Sequence, residues 1–302
     1  MTQEPTSYGS PAAFRQALEE RLRARAAREG RDLGRLRRLV SMDRMLARLF
    51  AQGDRSPWIV KGAYGLEVRF HLGGRSTRDL DLALPGVGSA DLAGNPAPLL
   101  ERALVRALEQ DVSDHFRLEM SAAKQELGGA PDGGYRFHIR VDLDGRCFDE
   151  LHLDVVLGEE VIGEPDWLTG PGLLDFAGIP AARFAMAPLA QHFAEKAHAL
   201  TRSHGSYENT RVRDLVDVAL MIESSLLDAE AVRTAIVKTF ERGGTHTVPR
   251  SIPPPPANWE ERYAVLSANT VVRARTVEAA QALLQDYWRA LGFSASGGDP
   301  HP

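Results

Sequence analysis

The sequence predicts an α/β (α+β) chain in which a mixed sheet flanked by helices is followed by a mostly helical C-terminal region. Three observations carry that expectation. Two strand-like runs hold carboxylates among apolar residues: Arg75-Ser76-Thr77-Arg78-Asp79-Leu80-Asp81-Leu82 and Leu151-His152-Leu153-Asp154-Val155-Val156-Leu157. Between them Tyr135, Phe137, Ile139 and Val141 alternate with mostly polar residues, the period of a half-buried strand. Beyond Pro188 the apolar positions fall at helical spacing, as with Leu215, Val218 and Met221.

Taken in order, the chain reads as helices from Pro11 to Gln52, with a break between Gly30 and Gly34, then a strand, turn and helix over residues 57–71. The acid-pair strand comes next. Pro85 to Pro98 reads as a loop, Leu99 to Gln110 as a helix and Phe116 to Ala122 as a strand, and Asp144-Gly145 offers a hairpin turn before the Asp154 strand. From Gly158 to about Pro188 the chain is rich in Gly and Pro and is expected to be loops. Gln191–Arg202 and Thr210–Met221 look helical, and Pro253-Pro254-Pro255-Pro256 reads as a rigid spacer. The expected organisation is a disordered tail at 1–10, an arginine-rich helical segment at 11–52 packed on the core, an α/β domain at 53–185, a helical domain at 186–293 and a second disordered tail at 294–302.

Residues two apart on a strand share a face, so Asp79 and Asp81 stand side by side, separated by roughly 6.6 Å of rise, while Leu80, Leu82 and Leu84 take the other face. In the second run Leu151, Leu153, Val155 and Leu157 form the apolar face, and Asp154 lies on the opposite one. Carboxylates in such strands cost solvation free energy unless a cation or hydrogen-bond donors compensate them. If the two strands are neighbours, three carboxylates converge. Hard oxygen ligands with open positions suit Mg²⁺, or Mn²⁺, shared with a substrate's phosphates, whereas zinc favours His and Cys ligands. An Asp-x-Asp pair also caps turns and faces water in many proteins, so its surroundings matter. Upstream, Lys61-Gly62-Ala63 joins a short strand to a helix whose first-turn N–H groups attract phosphate. A plain strand-to-helix connection uses the same glycine for its left-handed conformation.

The 302 residues allow one large or two medium domains. A single cysteine, Cys147, excludes an internal disulfide and a cysteine-rich metal site. No segment is long and apolar enough to span a membrane, and the N-terminus lacks a signal peptide's apolar region, so a cytoplasmic protein is expected. The net charge of −5 argues mildly against a dedicated nucleic-acid binder. Its distribution partly answers that. The stretch from Arg15 to Arg48 is rich in arginine, and two readings stand side by side: a phosphate-tracking face for RNA, or solvated helices whose arginines pair with Glu19, Glu20 and Asp32. Taken alone, Lys196 reads as a surface lysine, and Arg211, Asp214 and Asp217 as a solvated face with local ion pairs.

Together, Lys61-Gly62 with Leu66-Glu67-Val68-Arg69, Arg75 to Asp81, Leu153-Asp154-Val155, Ala194-Glu195-Lys196-Ala197-His198-Ala199 and Arg211-Val212-Arg213-Asp214-Leu215-Val216-Asp217 resemble the AbiEii/AbiGii-type toxin family, nucleotidyltransferase-like proteins of the DNA polymerase beta superfamily. The resemblance runs from about Trp58 to Met221. It implies a nucleotidyltransferase-type fold in which Asp79 and Asp81 match the metal-holding pair and Asp154 the third carboxylate, commonly a metal ligand or base, so that two divalent ions are expected on Asp79, Asp81 and Asp154. Gly62 and Ala63 match the loop that cradles a triphosphate, where relatives read Gly-Gly or Gly-Ser. Lys196 and Asp214 match a helical motif needed for activity, with Lys196 toward the nucleotide. Lys61, Arg75 and Ser76 are candidates for holding the triphosphate. The expected function is Mg²⁺-dependent transfer of nucleotides from a nucleoside triphosphate to an RNA acceptor such as tRNA, by a toxin restrained by an antitoxin. The alternatives are nucleotidylation of a small molecule or protein, and an inactive fold that only binds nucleotide, metal or a partner.

Overall fold

In a computed structural model of the chain, residues 8–86, 96–123, 125–126, 133–203 and 209–293 are described. Most of the expected Pro85–Pro98 loop, residues 1–7 of the first expected tail and all of the second lie outside these residues. The chain divides into two compact units, each taken by itself below. A sheet unit contains the N-terminal part through Arg69 with Ser76–Glu160 and Pro165–Met186, and a helical unit contains Phe70–Arg75, Val161–Glu164 and the chain from Ala187 onward.

The sheet unit begins with α1 (Pro11–Glu29) and α2 (Leu33–Leu49). Ser10 caps α1, Gly30 ends it at φ 60°, and the Asp32 carboxylate accepts the Arg35 N–H to start α2. Strand β1 (Ile59–Lys61) runs directly into α3 (Gly62–Arg69), and β2 (Asp79–Leu84) carries the acid pair. After α4 (Ala97–Leu108) come β3 (Phe116–Met120), β4 (Gln125–Glu126), β5 (Gly134–Leu143) and β6 (Arg146–Leu157). Asp144 and Gly145, at φ 54° and 66°, make the two-residue turn between β5 and β6 that Asp-Gly favours.

The Gly158–Pro188 stretch departs from expectation. It holds two strands, β7 (Asp166–Thr169) and β8 (Arg183–Met186), which pair antiparallel around a short 3-10 turn at Asp175–Ala177. At four residues each they sit at the lower limit at which alternation is readable. Tertiary pairing makes them strands: β8 adds parallel to β1. The mixed sheet runs β3-β5-β6-β2-β1-β8-β7, with β4 also on β5. Its apolar face is fully buried, including Leu80, Leu82, Leu153, Val155, Phe137 and Ile139. At about 25 cal/mol per Å², such closely packed side chains supply most of the stabilising free energy.

Helix α2 packs against β6 and β8, and its arginines are part of that packing. Arg48 forks onto Asp114 at 2.7 and 2.8 Å, Arg35 binds Glu67 of α3, and Arg44 binds Asp43 and the Pro180 carbonyl, all buried. Arg23 and Arg37 pair with Glu19 as expected, and Arg25, Arg28 and Arg31 form exposed local pairs with Glu29 instead.

The helical unit contains α5 (Leu189–Thr201), α6 (Val212–Glu223), α7 (Ala229–Gly243), α8 (Glu260–Ala268) and α9 (Val277–Ala290). α5 packs on α6 and α7, and α6 on α8 and α9, around Phe193, Val216, Ile236, Tyr263, Leu284 and Trp288. The proline run is no free spacer. Gln281 of α9 donates to the Ile252 and Pro253 carbonyls, and Gln285 accepts the Ile252 N–H, which docks the segment on α9. Among the described residues no helix is long and apolar enough to cross a membrane.

Candidate active site

Pairing between four strands sets Lys61, Asp81, Asp154 and Arg136 in one row. Lys61 of β1 stands opposite Asp81 of β2, Asp81 opposite Asp154 of β6, and Asp154 opposite Arg136 of β5. Directly opposed residues share a face on strands about 4.8 Å apart, so two carboxylates lie side by side with a cation at each end. The next row sets Asp79 against His152, whose Nδ1 is 3.2 Å from Asp79 Oδ1. The three carboxylates therefore converge on one face, opposite Leu80 and Leu153.

Their surroundings differ. Asp79 is half-exposed, with its side chain 37% accessible. Asp154 is buried, and both its oxygens are taken: Arg136 Nε donates to Oδ1 at 2.7 Å and Nη2 to Oδ2 at 2.6 Å. This hydrogen-bonded pairing, reinforced by the fields of Asp79 and Asp81, raises the Arg136 pKa. Among the described residues no three His, Cys, Asp or Glu side chains are gathered to hold a metal unaided. The Asp79–Asp81 pair fits a hard ion that keeps its own waters and takes its remaining oxygens from substrate phosphates.

Gly62 sits where β1 becomes α3, at φ 69°, and a Cβ there would overlap Asp81 Oδ2. Glycine is required twice, by conformation and by contact. The first turn of α3 thereby begins beside the Asp81 carboxylate. Ala63 follows as a buried residue of that turn. Lys61 Nζ is bound to Glu159, which shares its charge. Ser76 Oγ accepts from Arg38 Nη1 at 3.2 Å.

In the helical unit Lys196 is not a surface lysine. It is buried, with Nζ 2.9 Å from Asp214 Oδ1 and 2.7 Å from Asp217 Oδ2, and Arg75 Nε reaches Asp217 at 3.0 Å. Burial pushes the Lys196 pKa down, but the two carboxylates outweigh it and the net shift is upward. Burial likewise pushes Asp214 up, and Lys196 more than reverses it, leaving a lowered pKa. The expected solvated face of α6 is a buried charge network, because the charges face α5 rather than water. Arg75 belongs to this network.

The predicted residues thus form two groups. Asp79, Asp81, Asp154, Lys61, Gly62, Ala63 and Ser76 belong to the sheet unit, and Lys196, Asp214 and Arg75 to the helical unit. Sequence reading missed Arg136 and Glu159 as partners and placed Asp217 on a solvated face rather than against Lys196 and Arg75. Arg136 alternates with Tyr135 and Phe137 as any solvent-facing residue would, and only strand register reveals its opposition to Asp154.

The family model described as "Nucleotidyl transferase AbiEii toxin, Type IV TA system" matches residues 44–293. The chain belongs to the AbiEii family. It is accordingly a nucleotidyltransferase of the type IV toxin–antitoxin kind. Among solved structures, the AbiEii-family chain is similar to MenT4, a nucleotidyltransferase toxin from Mycobacterium tuberculosis, with a TM-score of 0.57 and 18% identity over 91% of this chain and 90% of that one. At that identity the likeness speaks for a shared fold. A search of curated proteins gives no significant match.

Proposed function

We propose that this toxin transfers a nucleotide from a nucleoside triphosphate to a hydroxyl of an RNA acceptor such as tRNA, with Mg²⁺ or Mn²⁺ held by Asp79 and Asp81. The row of Asp81 and Asp154 between Lys61 and Arg136, beside the open turn at Gly62, carries this reading. A new bond forms between the acceptor oxygen and the α-phosphorus, the bond to the bridging oxygen breaks, pyrophosphate leaves, and the hydroxyl proton passes to solvent. A divalent ion bound there lowers the hydroxyl's pKa and offsets charge on the phosphates. The protein's own part is placement. Gly62 lets the first turn of α3 come close to Asp81, Lys61 and Ser76 line the phosphate side, and Asp154, held by Arg136, stands beside Asp81 in register. Lys196 and Asp214 act by holding α5 to α6, with Arg75 joined through Asp217.

The RNA acceptor is favoured by the exposed arginines of α1, Arg23 and Arg28, whose side chains are 63% and 70% accessible. Arg35, Arg44 and Arg48 are excluded from such a face by burial. The protein is expected to act in the cytoplasm, with a cognate antitoxin as its regulatory partner. Incubation with Mg²⁺, each α-labelled nucleoside triphosphate and total RNA tests the acceptor. Label in the tRNA band supports the reading, whereas label confined to protein or small molecules transfers the activity to another acceptor class.

A further inference from the structure

We propose that the edge strand β3 is a self-complementary surface on which a second copy of this chain docks: two β3 strands pair antiparallel about a two-fold axis at Leu118 and join two sheets into one. The surface lies in the sheet unit and contains none of the acid-row residues.

Among the described strands β3 pairs with β5 alone and ends the sheet. The Ser121 N–H donates to the His138 carbonyl at 3.0 Å, which fixes the alternation along β3. Arg117 and Glu119 turn their N–H and C=O groups to β5, and Phe116, Leu118 and Met120 turn theirs away. At Phe116 those groups are engaged within the chain, the N–H by Asp114 and the carbonyl by Arg48. Leu118 is the next outward residue. A two-fold there sets it opposite its counterpart in the second copy, and the two exchange a pair of main-chain hydrogen bonds.

Charge complementarity selects the occupant. Arg117 and Glu119 stand on one face of β3 with side chains 80% and 52% accessible. The register with β5 sets Arg117 against Asp142 and Glu119 against Arg140. The two-fold at Leu118 then brings each Arg117 opposite the Glu119 of the other copy. Each row across the seam runs Asp142, Arg117, Glu119, Arg140, with the signs alternating over four strands. Moving the axis by one residue would set Glu119 against its own counterpart, so the charges also choose the register. Charges on an edge strand ordinarily deter pairing, but this ordered plus-minus pair matches an antiparallel copy of itself. On the other face a groove of about 650 Å³ follows the same edge, lined in part by Val105 and Leu108 of α4 and by Leu118 and Met120. Val105 is 38% exposed, which leaves apolar surface at the seam for a second copy to cover. The two-fold of an antiparallel pair stands perpendicular to the sheet, so both acid rows would face the same side.

Sedimentation equilibrium of the full chain from about 1 to about 100 µM reads the assembly, with melting confirming that each variant is folded. The wild type is expected to be a dimer at the upper end of that range. Arg117→Glu and Glu119→Arg each set like charges across the seam, and each alone should raise the dissociation constant at least about tenfold. An equimolar mixture of the two variants again sets opposite charges face to face, and it should dimerise within about threefold of the wild type. A wild type that stays monomeric throughout, a dimer that neither substitution weakens, or a mixture no tighter than its components would overturn the proposal. Should a substitution unfold the chain, hydrogen exchange of the wild type decides: the Leu118 amide should exchange more slowly as protein concentration rises, and a rate independent of concentration would overturn the pairing.

Discussion

Gly62 shows how much a single residue position can decide. Its positive φ and its contact with Asp81 Oδ2 leave no room for a side chain, so Gly62→Ala must shift either the acid pair or the turn into α3. A displacement of about 1 Å at a reacting centre can cost ~100-fold in rate. Gly62→Ala is therefore expected to lose nucleotide incorporation by about that factor while thermal melting moves by only a few degrees, and a variant with wild-type turnover would remove the turn from the phosphate subsite. Both Gly62 and Asp81 were legible in the sequence, because a glycine at a strand-to-helix turn and an Asp-x-Asp pair each have a local signature. Arg136 and Asp217 were not. Their roles depend on which strand or helix faces them, a nonlocal fact that residue type does not encode.

At the scale of elements, the two acid strands were readable because their apolar period is strict, and β6 buries Leu151, Leu153, Val155 and Leu157 as that period requires. Leu153→Ala should cost about 2–5 kcal/mol, measured by urea denaturation, since the deleted volume lies in a fully buried strand. Helix α2 was misjudged for a physical reason. Arginine is so seldom buried that nine of them between Arg21 and Arg44 read as a solvated or RNA-facing surface, yet Arg35, Arg44 and Arg48 find carboxylates under the helix. Arg48→Ala would leave buried Asp114 only the more distant Arg44, at 3.8 Å, and the Phe116 N–H, and a loss of about 3 kcal/mol in the same denaturation measurement is expected. A loss under about 1 kcal/mol, the range of a solvated pair, would return α2 to the solvated reading. The strands β7 and β8 were missed because four residues carry too little pattern, and their partners create them.

At the scale of the whole molecule, the buried pair of Lys196 and Asp214 makes stability depend on pH in a definite direction. Asp214 has a lowered folded pKa, so its contribution is present above the ordinary value near 3.9 and is lost as pH falls through the folded value. Lys196 has a raised folded pKa, so its contribution is present below about 10.4 and is lost only as pH rises through the folded value. Wild-type melting temperature should thus fall more steeply below about pH 4 than that of the Lys196→Met/Asp214→Asn double variant, and parallel profiles would show that the pair does not govern acid stability. The division into a sheet unit and a helical unit leaves the acid row on strands, which hold side chains in place better than loops do. The central claim is that this row performs divalent-ion-dependent nucleotidyl transfer. Its most direct test is Mg²⁺-dependent transfer of an α-labelled nucleotide to RNA by wild type, Asp79→Asn and Asp81→Asn, each confirmed folded by melting. Transfer by the wild type that both variants and EDTA abolish is the predicted result, and undiminished transfer by either variant would contradict it.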